Sequence, residues 1–176
     1  MAGYMDNHCV GLNVNVLPSV EVSQSPEEKF REYLASRPRA QRYTTQQRDM
    51  VKYIFSKHNH FDAEELIDEM KGEGFQVSRA TVYRTLNKLV HAGLLRRINL
   101  GERTVFEHDY GYSQHDHLHC EKCDAMIEFL DPQIEPLIRS VCSQYGFYFT
   151  GHTFVVRGLC AACNRARTTK RRLDLV

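Results

Sequence analysis

Two Cys-x-x-Cys pairs, Cys120/Cys123 and Cys160/Cys163, constrain this chain more than anything else in it. Two thiolates three positions apart on a tight turn grip one tetrahedral Zn2+, and two such knuckles complete a closed four-sulfur site. Disulfides and a redox pair are the competing readings. The first 28 residues carry no Lys or Arg, and Asn13 and Asn15 interrupt the apolar stretch Val10 to Val16, unlike a secretory signal. Structural disulfides are therefore not expected. A redox pair opens a helix after a strand and needs no twin. Structural zinc is the expectation. With 36 residues between the pairs, the metal clamps the two ends of one small domain. Cys142 is expected to be a small core residue on a helix, and Cys9 to lie in a loosely ordered segment.

The 176 residues suffice for one or two compact units. No run of about 18 apolar residues is present, so no membrane span and a cytoplasmic location are expected. The formal net charge of +1 excludes a uniformly basic nucleic-acid coat. The charge is nevertheless segregated: residues 78–103 hold six basic groups against Glu102 alone, and residues 164–176 carry five against Asp174. A polyanion would be met in one of those places.

Residues 1–25 show no period and read as a flexible extension. Over residues 26–109 the pattern gives short helices and then a hairpin. Pro26 to Ser36 forms the first helix; Thr45 caps a second with Met50, Val51, Ile54 and Phe55 inward. Asp62, with Glu65 three residues on, caps a third, and Ser78 a fourth. Leu94 to Asn99 and Arg103 to His108 are strands around Gly101. This is the outline of a winged helix-turn-helix, the fourth helix lying in the DNA major groove. Its outer face shows Arg79, Tyr83, Arg84, Asn87 and Lys88.

Residues 110–163 read as a second, small α/β unit. Strands are expected at His115 to Cys120, Met126 to Leu130 and, as one long element, Phe147 to Arg157, with a helix after Asp131-Pro132. The aromatic strand is suited to extending across a dimer. Residues 164–176 are a basic tail. The fold class is thus α+β: an N-terminal winged helix, then a dimerisation domain with a structural zinc site.

Four of nine histidines fall between His108 and His119. On a strand, side chains alternate, so His115 and His117 share one face while Asp116 points to the other. One metal takes both histidines. Glu107, His60 and Glu128 are the candidates to complete it, and Asp116 serves a second centre with Glu135 and His152. Such a set suits Fe2+, Mn2+, Zn2+ or Co2+. His58, His91 and His108 are expected to be surface groups. A zinc-dependent hydrolase using His115, His117 and Glu107 is the competing class, but no HExxH or comparable motif is present.

Read together, these motifs resemble the ferric uptake regulator family of metal-responsive repressors. The matching residues are Ala80-Thr81-Val82-Tyr83-Arg84-Thr85-Leu86, Val105-Phe106-Glu107, His115-Asp116-His117-Leu118 before Cys120 and Cys123, Ile127-Glu128-Phe129, and then His152, Cys160 and Cys163. The resemblance implies a homodimeric transcriptional repressor, not an enzyme, that binds a double-stranded, AT-rich operator. It implies structural Zn2+ on Cys120, Cys123, Cys160 and Cys163. A regulatory Fe2+ or other divalent cation would sit on His60, Glu107, His115 and His117 with Glu128 nearby, and an additional metal on Asp116, Glu135 and His152. It implies DNA contacts from Arg79, Thr81, Tyr83, Arg84 and Lys88. Gln114 departs from the family pattern, standing where many members carry a histidine of the second centre. Glutamates at 107 and 128 point to the iron-responsive branch, since the peroxide-sensing branch tends to place Asp there. A peroxide-sensing or a zinc- or manganese-sensing member of the same family is the alternative.

Overall fold

The computed structural model describes residues 20–39, 41–57 and 59–173, with side chains as far as residue 167. Cys9 and His58 lie outside the described residues. The chain divides into two compact units, the first ending at Ser113 and the second running on from Gln114.

In the first unit four helices precede a two-stranded hairpin: α1 Pro26–Ala35, α2 Thr45–Phe55, α3 Ala63–Gly72, α4 Arg79–His91, β1 Leu95–Leu100 and β2 Arg103–His108. The helices start where side chains satisfy otherwise orphaned N–H groups. Ser25, Thr44 and Asp62 form capping boxes with Glu28, Gln47 and Glu65, and Ser78 accepts from the Thr81 N–H. Gly101, at φ +77°, makes the hairpin turn. The apolar stripes meet in one core built on Phe30, Met50, Ile67, Leu86 and Leu94, all inaccessible to solvent.

One local feature decides where the chemistry sits. Phe61, just before α3, forms an antiparallel bridge with Phe106 in β2, and each N–H donates to the other's carbonyl (3.1 and 2.8 Å). The two rings stack 6.0 Å apart and pack against the core. Asp62 then ties the same corner together: besides capping α3, it accepts from Arg103 Nε at 3.0 Å. Asp62→Ala is therefore expected to destabilise this unit by about 1–2 kcal/mol, the worth of a lost N-cap. The urea unfolding midpoint should drop; an unchanged midpoint would contradict the role given to the cap.

Two expectations for this unit need correction. Residues 20–24 are not a loose extension. The Val20 N–H donates to Gly111 O (2.9 Å), and the Tyr110 hydroxyl to Gln24 O (3.0 Å). His108 is not a surface group but buried: its Nε2–H donates to Ile54 O at 3.1 Å, and its ring stacks on Phe55. The carbonyls that end α2 need a donor, and His108 supplies one.

The second unit contains β3 Asp116–Cys120, β4 Met126–Phe129, α5 Ile134–Gln144, β5 Val155–Gly158 and α6 Ala161–Leu173. Its sheet has the order β4-β3-β5, with β3 antiparallel to β4 and parallel to β5. The long strand expected over residues 147–157 shortens to Val155–Gly158. A strand persists only where a ladder partner exists, and of this stretch only residues 155–158 are in register with β3. Phe147 and Tyr148 stay exposed. Cys142 is only half-buried: α5 has no buried residue, and Leu137, Val141 and Tyr145 present an uncovered apolar face. Residues 161–173, free of Gly and Pro, form α6, which takes in much of the basic tail. Among the described residues no helix is long and apolar enough to cross a membrane.

Candidate metal centres and nucleic-acid face

The four paired cysteines meet at one end of the second unit. Cys120 ends β3, and Cys123 follows in a tight turn closed by Asp124 N–H donating to Cys120 O (2.9 Å), with Asp124 itself at φ +56°. Cys160 and Cys163 open α6. Each offers a sulfur, all within 4.8 Å of one another, and no disulfide joins them. Cys123 and Cys160 Sγ are 3.8 Å apart. A tetrahedron with sulfurs about 2.3 Å from zinc has edges of about 3.8 Å, so the donor set fits that ion. The Cys120 environment favours the thiolate. Burial pushes its pKa up, but N–H groups of Cys160, Lys122 and Cys123 aimed at the sulfur prevail and bring it down to about 6. Zinc binds thiolate, so this sulfur suits the ion; at Cys163, burial and then the neighbouring thiols push the pKa up instead.

The first unit presents a pair of possible ligands. Because Phe61 and Phe106 are bridged, His60 and Glu107 stand opposite each other on the face away from the core. His60 Nε2–H donates to Glu107 Oε2 at 3.0 Å, and Glu107 is buried. The second unit presents three. His117 pairs directly with Glu128 across β3 and β4. His115 lies two residues before His117 on the same face, its ring centroid 4.9 Å away. Ligand atoms of His115, His117 and Glu128 fall within 4.8 Å of one another. The set of two imidazoles and a carboxylate fits a divalent transition metal.

On the opposite face of β3, Asp116 Oδ1 accepts from His152 Nε2–H at 3.1 Å, while His152 Nδ1 is buried without a hydrogen-bond partner. Gln114 reaches the same loop, its side-chain amide donating to His152 O. Glu135 does not join them within 4.8 Å. Arg139, one turn further along α5, holds its carboxylate at 2.6 Å. His119 shares parity with His117 but bonds Asp124 at 3.1 Å, beside the cysteine turn.

On α4, Val82, Leu86 and Leu89 are buried and the other side is open. Arg79, Tyr83 and Arg84 are exposed, whereas Lys88 is half-buried. Burial, and then the Arg84 charge, lower the Lys88 pKa. Thr81 stays at the helix start, its hydroxyl 2.9 Å from that of Ser78. Sequence reasoning missed Glu64, which pairs with Arg79 at 2.5 Å and accepts from the Tyr83 hydroxyl at 3.0 Å. As a first-turn acid of α3, it reads in the sequence as helix-dipole complementarity and nothing more.

The ferric uptake regulator family model matches residues 39–157. The chain belongs to the ferric uptake regulator family. A ferric uptake regulation protein of Campylobacter jejuni is 32% identical over 142 residues, spanning 80% of this chain and 89% of that protein. The peroxide-responsive repressor PerR of Staphylococcus aureus is 28% identical, over 82% and 97% of the respective lengths. The solved structure of the ferric uptake regulator from Francisella tularensis with iron superposes with a TM-score of 0.64 at 26% identity, covering 73% of this chain and 98% of that one. Members of the ferric uptake regulator family are metal-responsive, dimeric, DNA-binding transcriptional regulators. This member takes a structural zinc and a regulatory divalent cation, and it presents a four-cysteine cluster and histidine and glutamate donors of the matching types.

Proposed function

We propose that this member is an Fe2+-responsive repressor, acting in the cytoplasm as a homodimer on an AT-rich operator and not as an enzyme. His60, Glu107, His115 and His117 hold the regulatory ion, with Glu128 beside them; Asp116 and His152, with Glu135, form the additional centre. The observation that carries the reading is that each unit offers an incomplete ligand set, His60 with Glu107 in one and His115, His117 and Glu128 in the other. A face of two histidines and one carboxylate leaves coordination positions open, and His60 and Glu107 are donors of the type that fills them.

Bound to both sets, a divalent cation supplies bonds to the two units at once. His60 and Glu107 are anchored to the reading unit through the Phe61–Phe106 bridge, so fixing them fixes that unit. The gain in DNA affinity equals the difference in cation affinity between the competent and other poses. A coupling of about 1–3 kcal/mol changes operator affinity about 5- to 150-fold. Arg79, Arg84 and Lys88 meet phosphates, Thr81 stands at the helix start, and the Tyr83 ring contacts thymine methyls. Before that, Glu64 must release Arg79 and Tyr83.

The test is operator binding followed by fluorescence anisotropy under anaerobic conditions, with Fe2+, Mn2+, Zn2+ and Co2+ added singly to zinc-loaded protein. Fe2+ should tighten binding at the lowest free concentration; a response confined to Zn2+ or Mn2+ would reassign the signal. The PerR relative brings in a second reading. Peroxide treatment of the Fe2+-loaded protein that adds oxygen to His60 or His115, read by mass spectrometry, would make this chain a peroxide sensor.

A further inference from the structure

Arg96 stands directly across the β1–β2 ladder from Glu107. Its Nη1 lies 3.5 Å from Glu107 Oε1, its Nη2 2.5 Å from Asp109 Oδ1 and its Nε 3.1 Å from the same oxygen. Only 16% of the side chain is exposed. The other Glu107 oxygen accepts from His60. One buried carboxylate is thus shared between an imidazole and a guanidinium.

The two partners behave differently when a cation arrives. An imidazole gives up its N–H proton and offers a lone pair instead. A guanidinium cannot: it stays protonated at any accessible pH and has no acceptor. Its Nε and Nη2 both donate to the same Asp109 oxygen, so swinging away means breaking both contacts. An ion bound to Glu107 therefore meets a fixed positive charge one carboxylate away, screened little at such burial. By sequence, Arg96 belongs to the basic stretch that would meet a polyanion. Its place on the Glu107 side of the hairpin, with two carboxylates on it, removes it from that task.

We propose that Arg96 sets the metal threshold of this regulator. Its guanidinium neutralises Glu107 while the regulatory site is empty and weakens that carboxylate as a metal ligand when the site fills. The proposal rests on Glu107 being a regulatory ligand. Arg96 acts on the metal through Glu107 and never touches it. A purely structural role, in which Arg96 orients Glu107 for the ion, predicts the opposite sign on mutation.

The experiment is a calorimetric Mn2+ titration of the zinc-loaded, full-length protein. The variants are Arg96→Gln, Arg96→Lys and Glu107→Gln, with unfolding midpoints recorded alongside. Arg96→Gln should bind Mn2+ about tenfold more tightly, equivalent to about 1.4 kcal/mol. Arg96→Lys, which keeps the charge, should stay within about twofold of wild type, and Glu107→Gln should bind more weakly. If Arg96→Gln does not fold, Arg96→Met keeps the apolar stem without the charge and carries the same expectation. Equal or weaker affinity in the charge-free variant, with Glu107→Gln still weakened, overturns the threshold role alone. An unchanged Mn2+ affinity in Glu107→Gln overturns both that role and the reading of Glu107 on which it rests.

Discussion

Cys120→Ser is expected to leave the protein without bound zinc and without a stable second unit. Among the described residues that unit's buried apolar cluster consists of Cys120, Cys160 and Cys163, and α5 buries nothing. With so little apolar area removed from water, the metal has to supply the folding free energy. Structural zinc contributes about 10–16 kcal/mol in peptides that fold around it, and a hydroxyl neither ionises nor ligates as a thiolate does. Cys120 also accepts the Cys160 N–H at 3.3 Å, so the substitution disturbs both cysteine turns. Zinc content by metal analysis should fall below about a tenth of wild type, and the dimer should be lost in sedimentation. A zinc-loaded Cys120→Ser dimer with the wild-type melting temperature would contradict the four-sulfur centre.

The second large effect is functional rather than structural. His115→Ala combined with His117→Ala should abolish the metal dependence of operator binding, so that the gain of about 5- to 150-fold falls to about one. Both imidazoles leave the ligand set, the second unit keeps only Glu128 as a donor, and a single carboxylate does not tie that unit to a borderline transition metal. Cys120 sits at the far end of β3, away from these histidines, so the zinc content should be retained in full. Zinc content and the unfolding transition therefore serve as internal controls. Retained metal dependence in a folded, zinc-loaded double variant would refute the assignment of these histidines.

Local chemistry made parts of this molecule readable in advance. Asp62 and Ser78 cap helices because their side chains lie a few residues from the N–H groups they satisfy. The shared face of His115 and His117 follows from strand alternation alone, as does the opposite face of Asp116. What could not be read depends on which strand meets which. Phe147 to Phe154 has strong β propensity, yet β3 offers ladder partners only to residues 155–158. Arg96 becomes a neighbour of Glu107 only once the hairpin register is known. His108 looks like one more exposed histidine until the end of α2 is found to need its proton. Glu135, a candidate for the additional centre, is paired with Arg139 one turn on, a contact that strand parity says nothing about.

The central claim is that one cation, held by donors from both units, poses the DNA-reading helices. Linkage gives it a direct test, since an ion that tightens operator binding must itself be bound more tightly by the operator complex, and by the same factor. The measurement is the Mn2+ dissociation constant of the zinc-loaded dimer with and without saturating operator DNA. The account predicts a Kd lower by about 5- to 150-fold in the complex, matching the Mn2+-induced gain in operator affinity. An identical Mn2+ Kd in the free and DNA-bound protein would contradict it.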